Sequence, residues 1–102
     1  MDESDIELID GLPPMDRLFC SKGRVKILMI LAKAGELNIS EVARRAELNH
    51  GSCSNHLKYL AKHNVLQEKR FGRIRIYRFK IENVKIRALK NLFDLWEVKQ
   101  FQ

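Results

Sequence analysis

The sequence has few of the residues that mark secreted, membrane or disordered proteins. Its 102 residues include only two cysteines, two prolines and five glycines. Two cysteines 33 positions apart do not form a disulfide framework, so we expect a reducing, cytoplasmic environment. No apolar run approaches the roughly 20 residues of a membrane span, and the acidic start is unlike a secretion signal. With 45% hydrophobic residues, the composition favours one folded domain without a membrane partner.

A recognisable catalytic, cofactor or metal site is also missing from the sequence. It contains no Gly-rich phosphate loop, no Ser/His/Asp arrangement and no paired-carboxylate site. Cys53, His56 and His63 could be read as metal ligands on one helix, but Cys53 is expected to face inward. There a free cysteine packs as a small hydrophobic residue, so we predict no metal site. We therefore expect a binding module without a cofactor and not an enzyme.

The charges are distributed unevenly along the chain. It carries 19 Lys and Arg against 13 Asp and Glu, a formal charge of +6. Five of the acids lie in the first 11 residues, which leaves a net charge of +11 on the remainder. From Lys58 to Lys80 there are eight bases and one acid, Glu68. We interpret residues 1–13 as an acidic, flexible tail, and the basic region as a surface that attracts polyanions.

Apolar periodicity and capping residues predict the order of the helices and strands. The predicted helices span 14–20, 22–34, 40–46, 50–63 and 83–101, an extended piece lies at 37–39, and two hairpin strands span 65–70 and 74–81. Ser40 and Asn49 are the expected N-caps of the third and fourth helices, and Asn64 is the expected left-handed residue after the fourth. The fourth helix is expected to face the core with Cys53, Leu57, Leu60 and Ala61.

The hairpin has one regular and one irregular feature. Gly72 lies between the two strands, where it supplies the positive φ that a tight turn requires. In the second strand Ile74 and Ile76 fall on one face, whereas Tyr77 falls on the other. This irregular alternation predicts a twist or bulge near Ile76-Tyr77, or burial of both faces near the base of the hairpin.

The order of the elements is that of a winged helix-turn-helix domain, mainly α with a small β wing (an α+β fold), over 14–102. Within it, 40–63 form the helix-turn-helix, 65–81 the wing and 83–101 a dimerisation helix. In this arrangement the second helix of the pair enters the DNA major groove and its N-terminal side chains meet base edges. The predicted contacts to double-stranded DNA are His50, Gly51, Ser52, Ser54, Asn55, Lys58, Arg70, Arg73 and Arg75.

The stretch from Leu18 through Phe79, about two-thirds of the chain, resembles the ArsR-like winged helix-turn-helix transcription regulators of prokaryotes. The matching segments are KGRVKILMILA (22–32), ISEVARRAELNHGSCSNHLKYLAKHNVL (39–66) and GRIRIYRF (72–79). The resemblance implies a symmetric homodimer that binds an operator and acts most often as a repressor. Many metal-sensing members carry a Cys-x-Cys motif on the helix before the recognition helix. Residues 40–46 contain no Cys, His or Asp, so that property does not carry over.

The last predicted helix carries too many apolar residues for one stripe, which is typical of a helix that packs on its own domain and on a second chain. The resemblance places the dimer contacts on the N- and C-terminal helices. The predicted interface residues are Leu18, Phe19, Leu89, Leu92, Phe93 and Trp96.

Three other classes of function stay open from the sequence. The chain could be a non-specific, chromatin-like DNA-binding protein, which binds random duplex as well as any operator. It could be a winged-helix protein-interaction module, which has no affinity for DNA at moderate salt. It could also be an effector-gated sensor with a small-molecule pocket at the dimer interface, where binding of the effector raises the melting temperature.

Overall fold

The computed structural model of the protein describes residues 10–97. In chain order its elements are α1 (Met15–Leu18), α2 (Lys22–Ala34), β1 (Glu36–Asn38), α3 (Ile39–Ala46), α4 (His50–Lys62), β2 (Leu66–Phe71), β3 (Ile74–Phe79) and α5 (Val84–Glu97). The strands form an antiparallel sheet in which β3 lies between β1 and β2. The predicted mainly helical fold with a small β wing is confirmed. Within the described range, no helix is both long and apolar enough to cross a membrane.

The helix-turn-helix pair is fixed at both helix starts by asparagine caps. The Asn49 side chain accepts a hydrogen bond from the Ser52 backbone N–H at 2.8 Å, so the predicted cap of α4 is confirmed. The prediction that Ser40 caps α3 is wrong, because Asn38 accepts from the Glu41 N–H at 2.8 Å. Asparagine caps at least as well as serine, and the extended backbone of Asn38 places the start of the helix before Ser40.

The hairpin has no bulge, which excludes one of the explanations expected for its irregular alternation. Strands β2 and β3 pair residue by residue, from Leu66 opposite Phe79 to Phe71 opposite Ile74, without a bulge. The uneven apolar pattern arises because Tyr77 and Phe79 face the core, whereas Ile74 is 53% exposed. At the turn, Gly72 has a φ of +62°, and a Cβ added there would have no neighbouring atom within 4 Å. The backbone conformation, and not crowding, therefore requires glycine there.

The core lies between α2, α3, α4 and the inner face of the sheet. Its residues with no more than 2% exposure are Ile27, Leu28, Leu31, Val42, Ala46, Cys53, Leu57, Leu60, Val65, Leu66, Tyr77 and Phe79. Three of them form the inner face of α4, as predicted, while Ala61 is only half-buried. Each fully buried leucine contributes about 1.5–3 kcal/mol, so burial fixes the rotation of α4 about its axis.

The start of the described range packs against the domain, whereas the sequence predicts a flexible tail over residues 1–13. The Asp10 carboxylate accepts from Lys85 Nζ at 2.6 Å, and the Lys85 ammonium lowers the pKa of that carboxyl. Leu12 packs against the core. The packed domain therefore includes residues 10–13. Residues 1–9 of the predicted tail and 98–101 of the predicted last helix lie outside the described residues.

Tyr77, on β3, anchors the wing hairpin in the hydrophobic core. Its side chain is fully buried, and its hydroxyl donates to Glu68 Oε2 of the neighbouring strand at 2.6 Å. Burial first, and then the bond to Glu68, raise the pKa of Tyr77 to about 12. The same hydrogen bond is the main reason that the pKa of Glu68 is lowered. The folded state therefore favours a neutral tyrosine beside an ionised carboxylate.

We expect the Tyr77–Glu68 hydrogen bond to raise the free energy of unfolding only within a limited pH range. The pKa of Tyr77 is raised on folding, so its contribution is complete below about pH 10 and is lost as pH rises toward 12. The pKa of Glu68 is lowered, so its contribution is present above about pH 4.5 and is lost at more acid pH. Urea unfolding of the wild type and Tyr77→Phe should show a stability difference that shrinks beyond both limits. A difference that stays constant from neutral pH to about pH 12 would contradict this assignment.

Candidate nucleic-acid interface

The outward side of α4 presents a polar surface, which we call the α4 ridge. It consists of His50, Gly51, Ser52, Ser54, Asn55 and Lys58. Four of these residues are exposed, and Ser52 and Ser54 are half-buried. Because Cys53, Leu57 and Leu60 hold the opposite side of the helix in the core, the ridge cannot turn inward without exposing them. The structure therefore brings the helical part of the predicted site together on one accessible face.

The outer part of the hairpin projects as a free ribbon, which we call the wing tip (70–75). Strand β1 pairs with β3 only as far as Asn38 opposite Ile76. Beyond that point β2 and β3 pair only with each other, at Arg70 opposite Arg75 and then at Phe71 opposite Ile74. The wing tip thus leaves the sheet as a two-stranded ribbon that carries arginine on both strands and in the turn.

A polar cleft of about 220 Å³ joins the wing tip to the start of α4. It is lined by Asn38, Ile39, Ser40, His50, Arg73, Ile74 and Arg75. Among these described residues none is acidic. The structure thereby places three predicted DNA-binding residues, from two separate segments of the chain, around one opening. Arg70 is the exception among the predicted wing residues, since it does not line the cleft.

Residues 38–40 also line this cleft, and the sequence did not predict them as binding residues. The N-cap Asn38 and Ser40 in the first turn line it at the start of α3, where backbone N–H groups and the helix dipole favour an anion. The helix start was visible in the sequence as a capping signal. Its position beside Arg73 was not, because that proximity depends on the pairing of β1 with β3.

Two arginines of the wing tip lie at directly opposite positions on its two strands. They are Arg70 and Arg75, and like charges at such positions destabilise a hairpin. Glu68 offsets part of this repulsion, since its Oε1 accepts from Arg70 Nε at 3.2 Å. The Arg70 side chain is still 65% exposed, so this ion pair contributes little. A polyanion placed against the tip would relieve the repulsion.

Two further arginines, on α3, are already paired within the chain. The Glu41 carboxylate accepts hydrogen bonds from Arg44 and, at 3.0 Å, from Arg45 Nε. Arg44 first and Arg45 second lower the pKa of Glu41 to about 2. Arg44 and Arg45 therefore already share one carboxylate within the chain.

Cys53 and His56 serve the packing of α4. Cys53 is fully buried, and burial raises the pKa of its thiol. The His56 imidazole lies with Nε2 3.4 Å from Ser21 Oγ and so links α4 to the N-cap of α2. Within residues 10–97, no three His, Cys, Asp or Glu side chains are grouped as a metal site requires.

The predicted dimer residues divide into core and surface. Leu18 is only 7% exposed and belongs to the core, so it offers almost no area to a second chain. Leu92 and Trp96 are 51% and 79% exposed.

An apolar groove of about 300 Å³ lies between α2 and α5, and we call it the α2–α5 groove. It is lined by Phe19, Val25, Met29, Leu89, Leu92, Phe93 and Trp96, of which Val25 and Met29 were missed by the sequence analysis.

Residues 21–68, from the N-cap of α2 into β2, match the family model described as bacterial regulatory protein, arsR family. This chain is an ArsR-like winged helix-turn-helix protein. The family that this stretch matches, and the fold of the chain, are those of DNA-binding transcription regulators. No curated protein matches the ArsR-like chain by sequence.

Solved structures share the fold of this ArsR-like protein over nearly its whole length. HlyU from Vibrio cholerae superposes with a TM-score of 0.73 at 18% identity, covering 97% of this chain and 100% of HlyU. A homodimeric winged helix-turn-helix DNA-binding domain from Mycobacterium bovis gives 0.70 at 21% identity, covering 93% and 85%. The transcriptional repressor PagR of Bacillus anthracis gives 0.65 at 26% identity, covering 88% and 92%.

We expect Arg73→Ala to weaken binding of the ArsR-like protein to every duplex and to reduce its salt dependence. A lost phosphate contact should lower the magnitude of the slope of log affinity against log salt by about 1 per protomer. The slope can be measured by fluorescence anisotropy with a labelled duplex. Arg44→Ala is the matched control, because Arg44 is already paired with Glu41 and its removal should change the slope less. An unchanged slope for Arg73→Ala would remove this residue from the phosphate contacts.

Proposed function

We propose that this ArsR-like protein is a homodimeric, sequence-specific DNA-binding repressor. The observation that carries the proposal is the polar cleft shared by His50, Arg73 and Arg75. It sets the start of α4 and the wing tip side by side on one face of the molecule. A duplex that accepts α4 in its major groove therefore meets the arginines of the wing at the adjacent backbone.

The α4 ridge supplies the sequence preference. An α-helix fits the major groove, and the side chains near its N-terminus reach the base edges. Asn55 can bond adenine through both its amide oxygen and its amide nitrogen, and His50 and Ser52 can donate or accept at base edges. Arginines of the wing contact phosphates or the minor groove, where they add affinity and little sequence information.

The α2–α5 groove supports the homodimer. Leu92 and Trp96 expose large apolar areas on α5, and Phe19, Val25 and Met29 continue the same surface across the groove. A second copy of this chain would remove that area from water. A two-fold dimer presents two recognition helices about 34 Å apart, which matches successive major grooves on a roughly palindromic site. The homodimeric domain from Mycobacterium bovis and the repressor PagR, which have the same fold, support the dimer and the sign of regulation.

Selection of bound sequences from random duplex DNA tests this proposal. A sequence-specific dimer enriches a palindromic motif, with half-sites about one helical turn apart, and discriminates it from random DNA at both low and moderate salt. Equal affinity for all duplexes would instead identify a non-specific DNA-binding protein. Absence of binding at moderate salt would favour the protein-interaction module.

We expect Asn55→Ala to reduce affinity for the selected duplex by about 1–3 kcal/mol and to affect random DNA much less. The loss should concentrate at one adenine of each half-site, since only that base pair loses its bidentate partner. Titration of wild type and variant against the selected and the random duplex measures both effects. Equal losses on the two duplexes would contradict a base-reading role for Asn55.

We expect Trp96→Ala to weaken self-association by about 2 kcal/mol, near 30-fold in Kd, because a large aromatic side chain leaves the groove. Trp96 is 79% exposed in the single chain, so the unfolding of the protomer itself should change little. Sedimentation equilibrium of the variant and the wild type gives the dimer Kd. Val84→Ala is the control, since Val84 is 68% exposed on the same helix and does not line the groove. A dimer unaffected by Trp96→Ala would place the interface elsewhere.

A further inference from the structure

The wing tip carries two large apolar side chains in addition to its arginines. Phe71 is 61% exposed and Ile74 is 53% exposed. They lie opposite each other as the last pair before the turn, on either side of Gly72 and Arg73. Apolar side chains at directly opposite positions of two strands generally stabilise a hairpin. More than half of each side chain nevertheless remains in water, at the point of the protein that projects furthest from the sheet.

Three arginines lie next to the apolar pair along the chain, at positions 70, 73 and 75. Opposite residues of an antiparallel pair share a face, and successive pairs alternate between faces, so Phe71 and Ile74 lie on one face and Arg70 and Arg75 on the other. Arg73 occupies the turn between them. A ribbon tip with an apolar pair on one face and cations on the other face and in the turn can set its apolar edge against sugars and bases of the DNA minor groove while the cations reach the phosphates.

The pair is also continuous with the proposed DNA-binding surface. Ile74 lines the cleft that His50, Arg73 and Arg75 share. The wing tip therefore reaches the groove next to the one that α4 occupies. Contact of the tip with a second copy of this basic chain would bring two sets of arginines together, which charge repulsion opposes.

We propose that Phe71 and Ile74 form an apolar wedge that enters the minor groove and partly opens a base step, so that the protein bends its DNA. This proposal rests on the proposed DNA binding and extends it. Apolar side chains inserted from the minor groove unstack a step and kink the duplex away from the inserted side, toward the major groove. Arg73 in the turn and the two arginines on the opposite face of the tip contact the phosphates while the step opens. Sequence steps that unstack easily should then be preferred beneath the wing, although no side chain reads their base edges.

Two fluorescence measurements on the selected duplex test the wedge. Energy transfer between dyes at the duplex ends reports the bend, and 2-aminopurine at successive flanking positions reports unstacking. We expect the wild type to bend the duplex by about 20° or more and to brighten 2-aminopurine at one step in each flank. Phe71→Ala should abolish both signals and weaken binding about 5-fold or more. Phe71→Leu, which keeps an apolar tip, should retain part of both.

Ile81→Ala is the matched control, because Ile81 is 43% exposed and lies outside the wing tip. It should bend DNA as the wild type does. Thermal melting of each variant verifies that it is folded, since Phe71 is at the surface and its loss leaves the core intact.

Three outcomes would overturn the wedge, and they separate it from the proposed function. Wild-type protein that binds the selected duplex but leaves it straight, with 2-aminopurine unchanged, contradicts the wedge and leaves DNA binding in place. Phe71→Ala that keeps the full bend and instead loses self-association assigns the tip to contact between copies. Failure of the wild type to bind any duplex contradicts the proposed function and the wedge together.

Discussion

Burial of one side of α4 is the constraint on which the rest of the interface depends. Cys53, Leu57 and Leu60 have no exposed area, and each occupies the core between α2, α3 and the sheet. A rotation of α4 by one residue, about 100°, would carry these side chains into water at a cost of several kcal/mol. The direction of Asn55 and its neighbours is therefore set by apolar side chains that never touch DNA.

The wing depends on a second, weaker constraint at the sheet. Pairing of β1 with β3 ends at Ile76. The Tyr77–Glu68 hydrogen bond lies one residue further along β3, at the edge of the core. The hairpin beyond Ile76, toward the turn, has no covering layer, and there the chain concentrates like charges and exposed apolar groups that cost stability in the free protein. Such local costs are typical of surfaces whose partner supplies the missing interactions.

The sequence was most informative where structure is decided locally. Asn49 as a cap, Gly72 in the turn and the inward face of α4 follow from residue chemistry within a few positions, and all are confirmed. The sequence predicts Ser40 as the cap because it places residues 37–39 in an extended piece, whereas the helix begins at Ile39 and Asn38 caps it. Burial of Leu18, the polar cleft and the α2–α5 groove depend on contacts between distant segments, which periodicity does not encode.

The proposed interface places α4 and the wing in the two grooves of one duplex, on the same side of it. Methylation protection with dimethyl sulfate tests it directly, since the reagent modifies guanine N7 in the major groove and adenine N3 in the minor groove. The account predicts two patches of guanine N7 protection about one helical turn apart, each flanked by protected adenine N3 on the outer side. Protection confined to the minor groove, or spread evenly along the duplex, would contradict it.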